Sequence, residues 1–190
     1  MNWLEWVAAG LGVINVGLLV RRSIWNYPFG LAMVALLSVV LFERRLYSEA
    51  LLQIFFFVVQ IYGWWNWVRS KQQTGEVQVG LLDWRSRALW AVATAAISLG
   101  WGAIMHTYTN AAYPFIDACV AGASVSAQIL LAQRKLDNWP IWIVADMVSI
   151  GLFLGRGAPA LAGLYGVLLF LSVAGFLDWR RKLAAQGRPA

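Results

Sequence analysis

Apolar runs of about twenty residues recur along the chain, each closed by a short polar or charged segment. The hydrocarbon core of a bilayer takes roughly 20 apolar residues to cross as a helix. Seven runs approach or meet that length: Trp3–Val20, Ile24–Leu41, Ala50–Val68, Ala88–Met105, Ala112–Ala132, Trp139–Leu154 and Ala160–Leu177. The sixth is the shortest and carries Asp146, so hydropathy supports it least. The runs are continuous rather than alternating, which is the pattern of spanning helices and not of barrel strands. The expected fold is therefore an all-α membrane protein of seven transmembrane helices. No basic cluster precedes the first run and no small-residue cleavage site follows it, so it is expected to stay as a span.

Composition agrees. Of 190 residues, 61% are hydrophobic and only 13% charged, where soluble domains carry about a quarter charged; mean hydropathy is +0.63. These values exclude a soluble enzyme, a disordered tail and a disulfide scaffold. Cys119 is the lone cysteine and His106 the lone histidine, so neither an internal disulfide nor a His/Cys metal site is expected. No Gly-rich phosphate loop and no Ser/His/Asp set appears. No cofactor is expected.

The net charge of +6 does not point to nucleic acid, because the basic residues sit between the apolar runs. Arg44, Arg45 and Arg156 fall on one side of a seven-span chain, and the other twelve Lys and Arg fall on the opposite side. Basic loops stay cytoplasmic. This predicts an N-terminus outside, a C-terminus inside, and a long polar inner loop over Lys71–Arg87.

The chain also resembles itself at a shift near 112. Trp3-Leu-Glu5 aligns with Phe115-Ile-Asp117 and Gly10 with Gly122; Gly63-Trp-Trp-Asn-Trp67 aligns with Gly175-Phe-Leu-Asp-Trp179. Trp25 aligns with Trp139 at 114, which asks the second copy to lengthen its first loop by two and shorten its second by two. Three helices end opposite to where they begin, so a second copy in the same orientation needs one connecting span. The expected organisation is a 3+1+3 parallel repeat: 1–68 as the first triplet, 69–111 as loop and connecting helix, and 112–190 as the second triplet with a basic tail.

Ionisable groups inside a membrane each cost roughly 2.5–3.5 kcal/mol on insertion scales and mark sites. Asp146 is the deepest. Trp139, Trp142, Asp146 and Ser149 share one helical face, and two indoles near a carboxylate suit a flat cation through stacking and cation–π attraction. The tryptophans also fit interfacial anchoring, as read for Trp3, Trp6, Trp84 and Trp90. Gln53 and Gln60 lie on one face of the third span, placed either to bridge helices or to bind a solute's polar groups. Tyr62 and Tyr165 offer hydroxyls to a ribose or amide; Asn26 and Asn15 are further donors. Asp117 is either a site residue or the partner of a basic group near the outer surface. A stripe of Asp117, Ala121, Ser124 and Gln128 fits helix packing as well as a permeation wall.

Several segments carry a family resemblance: Trp25-Asn-Tyr-Pro-Phe-Gly30, Leu46-Tyr-Ser-Glu-Ala-Leu-Leu-Gln53-Ile-Phe-Phe-Phe, Gln60-Ile-Tyr-Gly-Trp-Trp-Asn-Trp67, Tyr113-Pro-Phe-Ile-Asp117 and Arg134-Lys-Leu-Asp-Asn-Trp139-Pro-Ile-Trp142. Together they resemble the PnuC family of bacterial vitamin transporters over nearly the whole chain. The resemblance implies a 3+1+3 fold related to SWEET transporters, and facilitated diffusion of nicotinamide riboside, thiamine or riboflavin across the inner membrane. It also implies a cytosolic kinase that traps the substrate by phosphorylation. It makes Trp139 and Trp142 the paired tryptophans of the site and Gln53 its glutamine. Nicotinamide riboside carriers are expected to have asparagine at position 146, so the aspartate leaves nicotinamide riboside and thiamine, both flat cations, ahead of neutral riboflavin. Further possibilities are a non-transporting sensor or assembly subunit, and self-association.

Overall fold

The computed structural model describes residues 3–43, 47–109 and 113–186. Among them are seven helices: α1 (Trp3–Val20), α2 (Asn26–Glu43), α3 (Tyr47–Thr74), α4 (Trp84–Tyr108), α5 (Pro114–Ala132), α6 (Asn138–Gly155) and α7 (Pro159–Gln186). All seven include an apolar stretch long enough to cross a membrane. Arg44, Arg45, Ala112 and Arg188 lie outside the described residues.

The seven apolar runs correspond one to one with these helices, but two helices outlast their runs. α3 continues through Arg69-Ser-Lys-Gln-Gln73 and α7 through Arg180-Arg-Lys182, residues that propagate a helix well once water replaces lipid around them. The loop expected over 71–87 is therefore only 75–83. Gly75 stops α3 in the left-handed region (φ 78°), its N–H bonded to Lys71 O at 2.9 Å, a glycine C-cap. Asp83 then caps α4 by accepting from Ser86 N at 2.8 Å.

α1 and α5 end alike. Arg22 and Arg134 take the left-handed conformation (φ 53° and 62°). Ser23 N reaches back to Leu18 O at 3.0 Å, and Lys135 N to Leu130 O at 2.9 Å. This is the double-bonded Schellman closure, held by an arginine at a conformation that costs a non-glycine residue about 1–2 kcal/mol.

Neighbour relations define a ring. α2 packs on α1 and α3, α6 packs on α5 and α7, and the triplets meet where α1 touches α7 and α3 touches α5. Helix α4 packs on α5 alone and stands outside the ring.

The densest burial lies at the end of the ring where the α1–α2, α3–α4 and α5–α6 connections meet, hereafter the basic end. Trp67, Trp139, Trp179 and Tyr27 are each at most 1% exposed and pack with Leu19, Leu131 and Leu136. Trp67 Nε1 donates to Leu131 O, and Trp179 Nε1 to Leu19 O, both at 3.1 Å. Tyr27 meets Trp67 edge-on at 5.4 Å and 88°, and Trp139 meets Trp179 at 5.6 Å and 86°. Any Cβ at Gly63 would strike the Tyr27 ring, and one at Gly175 the Trp139 ring. Each contact has its counterpart 112 residues on. By its contacts, Tyr27 and not Trp25 stands where Trp139 stands. Asn26-Tyr-Pro28 corresponds to Asn138-Trp-Pro140 with no change in loop length, and Trp25 is exposed. The indole misled the alignment because the flanking Asn and Pro, which set the helix entry, are the better landmarks.

Candidate functional site

Two buried polar clusters form, one in each triplet. In the first, Asn15 of α1 donates through Nδ2 to Asn26 O at 2.7 Å, and Asn26 donates to Ser23 O at 2.6 Å. Gln60 of α3 is buried opposite Gly30 of α2. A side chain at position 30 would run into both the Gln60 and the Asn15 amides, so glycine there is what lets two amides approach one backbone. Gln53 lies two turns from Gln60 on α3 and is half-buried.

In the second cluster, Asp146 of α6 is 3% exposed and accepts from Ser172 Oγ of α7 at 3.0 Å. Tyr165 of α7 stacks on Phe153 at 5.3 Å, and its hydroxyl group hydrogen-bonds with Ser149. Trp142 is half-buried one turn before Asp146. Gln53 and Gln60 stand 112 residues before Tyr165 and Ser172. Ser172 was missed in reading the sequence, as a serine in an apolar run attracts no notice; its offset from Gln60 was the available signal.

The other expected site residues lie elsewhere. Trp139 belongs to the aromatic core, with Gly175 against one side of its ring. Tyr62 is exposed, with its ring against Trp65 at 6.2 Å and Arg134 within electrostatic range. Asp117 sits at the opposite end of the bundle, where Arg156 Nη2 donates to both its oxygens at 2.9 and 2.7 Å. Arg156 also lies over the Tyr113 ring at 5.8 Å. Asp117 is thus the partner of a basic group. Among the described residues no three His, Cys, Asp or Glu side chains gather as a metal site.

At the basic end the 75–83 segment lies across the bundle. Gly80 exchanges backbone bonds with Arg134 and Leu136, each 2.9 Å. Leu82 N donates to Asp137 Oδ2 at 2.8 Å, Glu76 pairs with Lys182 of α7, and Gln78 N donates to Ser70 Oγ at 3.1 Å. Val77 and Val79 enter the aromatic core. Close by, burial of the Arg134 guanidinium lowers its pKa from the ordinary arginine value.

Six helices, each apolar enough to cross a membrane, close into a ring around buried amide, hydroxyl and carboxylate groups, the architecture of a membrane transport protein. Comparison with known proteins gives the same class and its particular branch. The family model described as "Nicotinamide mononucleotide transporter" matches residues 2–181, and the chain belongs to this family, PnuC. It is 29% identical over 215 residues to the nicotinamide riboside transporter PnuC of Escherichia coli, covering all of this chain and 90% of that one. It is 26% identical to the riboflavin/roseoflavin transporter RibM of Streptomyces davaonensis, covering 98% of this chain and 89% of that one. The crystal structure of the vitamin B3 transporter PnuC superimposes with a TM-score of 0.79 at 28% identity, covering 96% of this chain and 83% of that one. The protein is therefore a multi-pass membrane transporter.

Proposed function

We propose that the chain carries nicotinamide riboside across the bacterial inner membrane by facilitated diffusion, with its N-terminus outside and its C-terminus in the cytosol. The observation that carries the choice of solute is Asp146, a buried carboxylate that accepts from the Ser172 hydroxyl. A buried charge needs a partner, and the pyridinium of nicotinamide riboside is a flat cation that meets this need. Trp142 supplies a ring face beside it, Gln53 and Gln60 bind the polar groups, and Trp139 backs the site from the aromatic core. The triplets 1–68 and 112–190 rock about this midplane site, as repeat-built carriers do. The distribution of basic residues between the apolar runs, twelve on one side of a seven-span chain and three on the other, supports the orientation.

The family description names the mononucleotide and the relatives' names the riboside. These differ by one phosphate, which beside Asp146 would set like charges together. The riboside is then the carried form, and phosphorylation by a cytosolic kinase would hold it inside. Thiamine, also a flat cation, is the second reading; neutral riboflavin gains nothing from the carboxylate.

The test is uptake of radiolabelled nicotinamide riboside into liposomes holding only this protein, with thiamine, riboflavin and the mononucleotide as competitors. Saturable uptake blocked by unlabelled riboside but not by the mononucleotide is expected. Equal competition by the mononucleotide overturns the charge argument, and binding without flux turns the protein into a sensor. Asp146→Asn is expected to weaken the riboside more than a neutral analogue; equal losses would make Asp146 a structural residue.

A further inference from the structure

Because α4 packs on α5 alone, a wedge opens between α4 and the α6–α7 pair outside the ring. It forms a groove of about 970 Å³, walled by Trp90, Ala95 and Leu99 of α4, Ile141 of α6 and Phe176 of α7. None of the buried polar residues of the candidate site lines it, and it lies outside the ring.

We propose that this groove is a binding site for one anionic phospholipid, its acyl chain along α4 and its phosphate at Arg180. Two observations select that occupant. The first is charge. Arg87, Asp137 and Arg180 line the groove at the basic end. Arg87 is matched by Asp137 at 2.7 Å, whereas Arg180 is exposed and makes no ion pair among the described residues. One positive charge stands over an apolar shaft, the complement of a negative head group on a hydrocarbon chain. The second is length. From Arg87 to Leu99 is twelve helical steps, about 18 Å, little more than half the roughly 30 Å of a bilayer core. That suits the chain of a single-leaflet lipid. A helix of a second copy crosses the whole core and would find no groove along the outer half of α4.

The test is native mass spectrometry of the full chain in mixed micelles of detergent with palmitoyl-oleoyl phosphatidylglycerol or the matching phosphatidylcholine. The wild type is expected to retain one phosphatidylglycerol, preferred about fivefold over phosphatidylcholine, the effect of roughly one basic residue at a membrane surface. Arg180→Gln is expected to remove the preference while keeping some lipid of either kind. Ala95→Trp, which fills the shaft from an exposed position, is expected to remove both lipids, and the gentler Ala91→Leu to reduce both. Equal retention of the two lipids by the wild type, or unchanged retention in both filled variants, overturns the proposal. So does an oligomer that Ala95→Trp converts to monomer, which would give the groove to a second copy.

Discussion

Replacing Trp67 and Trp179 with phenylalanine, singly and together, tests the packing that joins the two triplets. Each indole N–H donates to a carbonyl of the other triplet at 3.1 Å. Those carbonyls keep a second donor: Arg22 N on Leu19 O, and Arg134 N on Leu131 O, both at 2.9 Å. Neither substitution therefore leaves a buried acceptor unpaired, and the hydrogen bond itself counts only about 0.5–1.5 kcal/mol. Shrinking a fully buried indole to a phenyl adds about 1–2 kcal/mol of lost burial, at about 0.8 kcal/mol per methylene-sized group. Each single change is expected to destabilise by about 2–3 kcal/mol. In a melt followed by circular dichroism in detergent this is a fall of about 5–10 °C, taking 2–4 °C per kcal/mol for a chain of this size. Trp67→Phe and Trp179→Phe should lose similar amounts, because their partners and distances match. The two rings touch, with centroids 5.6 Å apart, so the double variant should depart from additivity by at least about 0.5 kcal/mol. A shift below about 1 °C for either single variant, or a twofold difference between them, refutes the reasoning.

Three further outcomes follow from the same contacts. Gly175→Ala and Gly63→Ala drive a methyl group into the Trp139 and Tyr27 rings and should each destabilise by about 1–3 kcal/mol, while Gly10→Ala, which meets open space, should leave the melting temperature unchanged or raised. Ser172→Ala removes a donor from Asp146 and should weaken riboside binding about three- to tenfold by isothermal titration, an effect of roughly one hydrogen bond; Ser172→Thr, which keeps the hydroxyl, should bind better than Ser172→Ala. Glu76→Lys should part the 75–83 segment from α7 by setting like charges against each other at Lys182, raising protease cleavage in 75–83, and the paired exchange Glu76→Lys with Lys182→Glu should restore protection.

Much of the site was legible residue by residue, but its assembly was not. Asp146 stood out because a carboxylate in an apolar run is costly wherever its helix packs. Gln60 stood out through its shared helical face with Gln53, and Asn26 only as a further donor. That Ser172 is the group on Asp146 could not be read locally, since 26 residues and a loop separate them. Asp117 read as lying near the outer surface and Asp146 as deeper, but the partner of neither was legible; the return of the α6–α7 loop brings Arg156 onto the first, and the second is left to the Ser172 hydroxyl. Tyr62 and Tyr165 likewise looked alike, yet one faces outward and the other stacks on Phe153.

What the chain alone determined is what depends on runs of neighbouring residues. Seven apolar stretches cross a bilayer because transfer into hydrocarbon sums along a segment, and arginines between them set a charge asymmetry without reference to packing. The 112-residue echo was visible for the same reason, though its register was misjudged at Trp25. Tertiary structure decided which helices are neighbours. Hydropathy treats α4 like the other six, because all seven are equally content in lipid; the repeat marks it as the connector, and packing then puts it outside the ring. Small residues such as Gly30, Gly63 and Gly175 then select the partners by letting side chains and rings approach, and that fit exists only between segments distant along the chain.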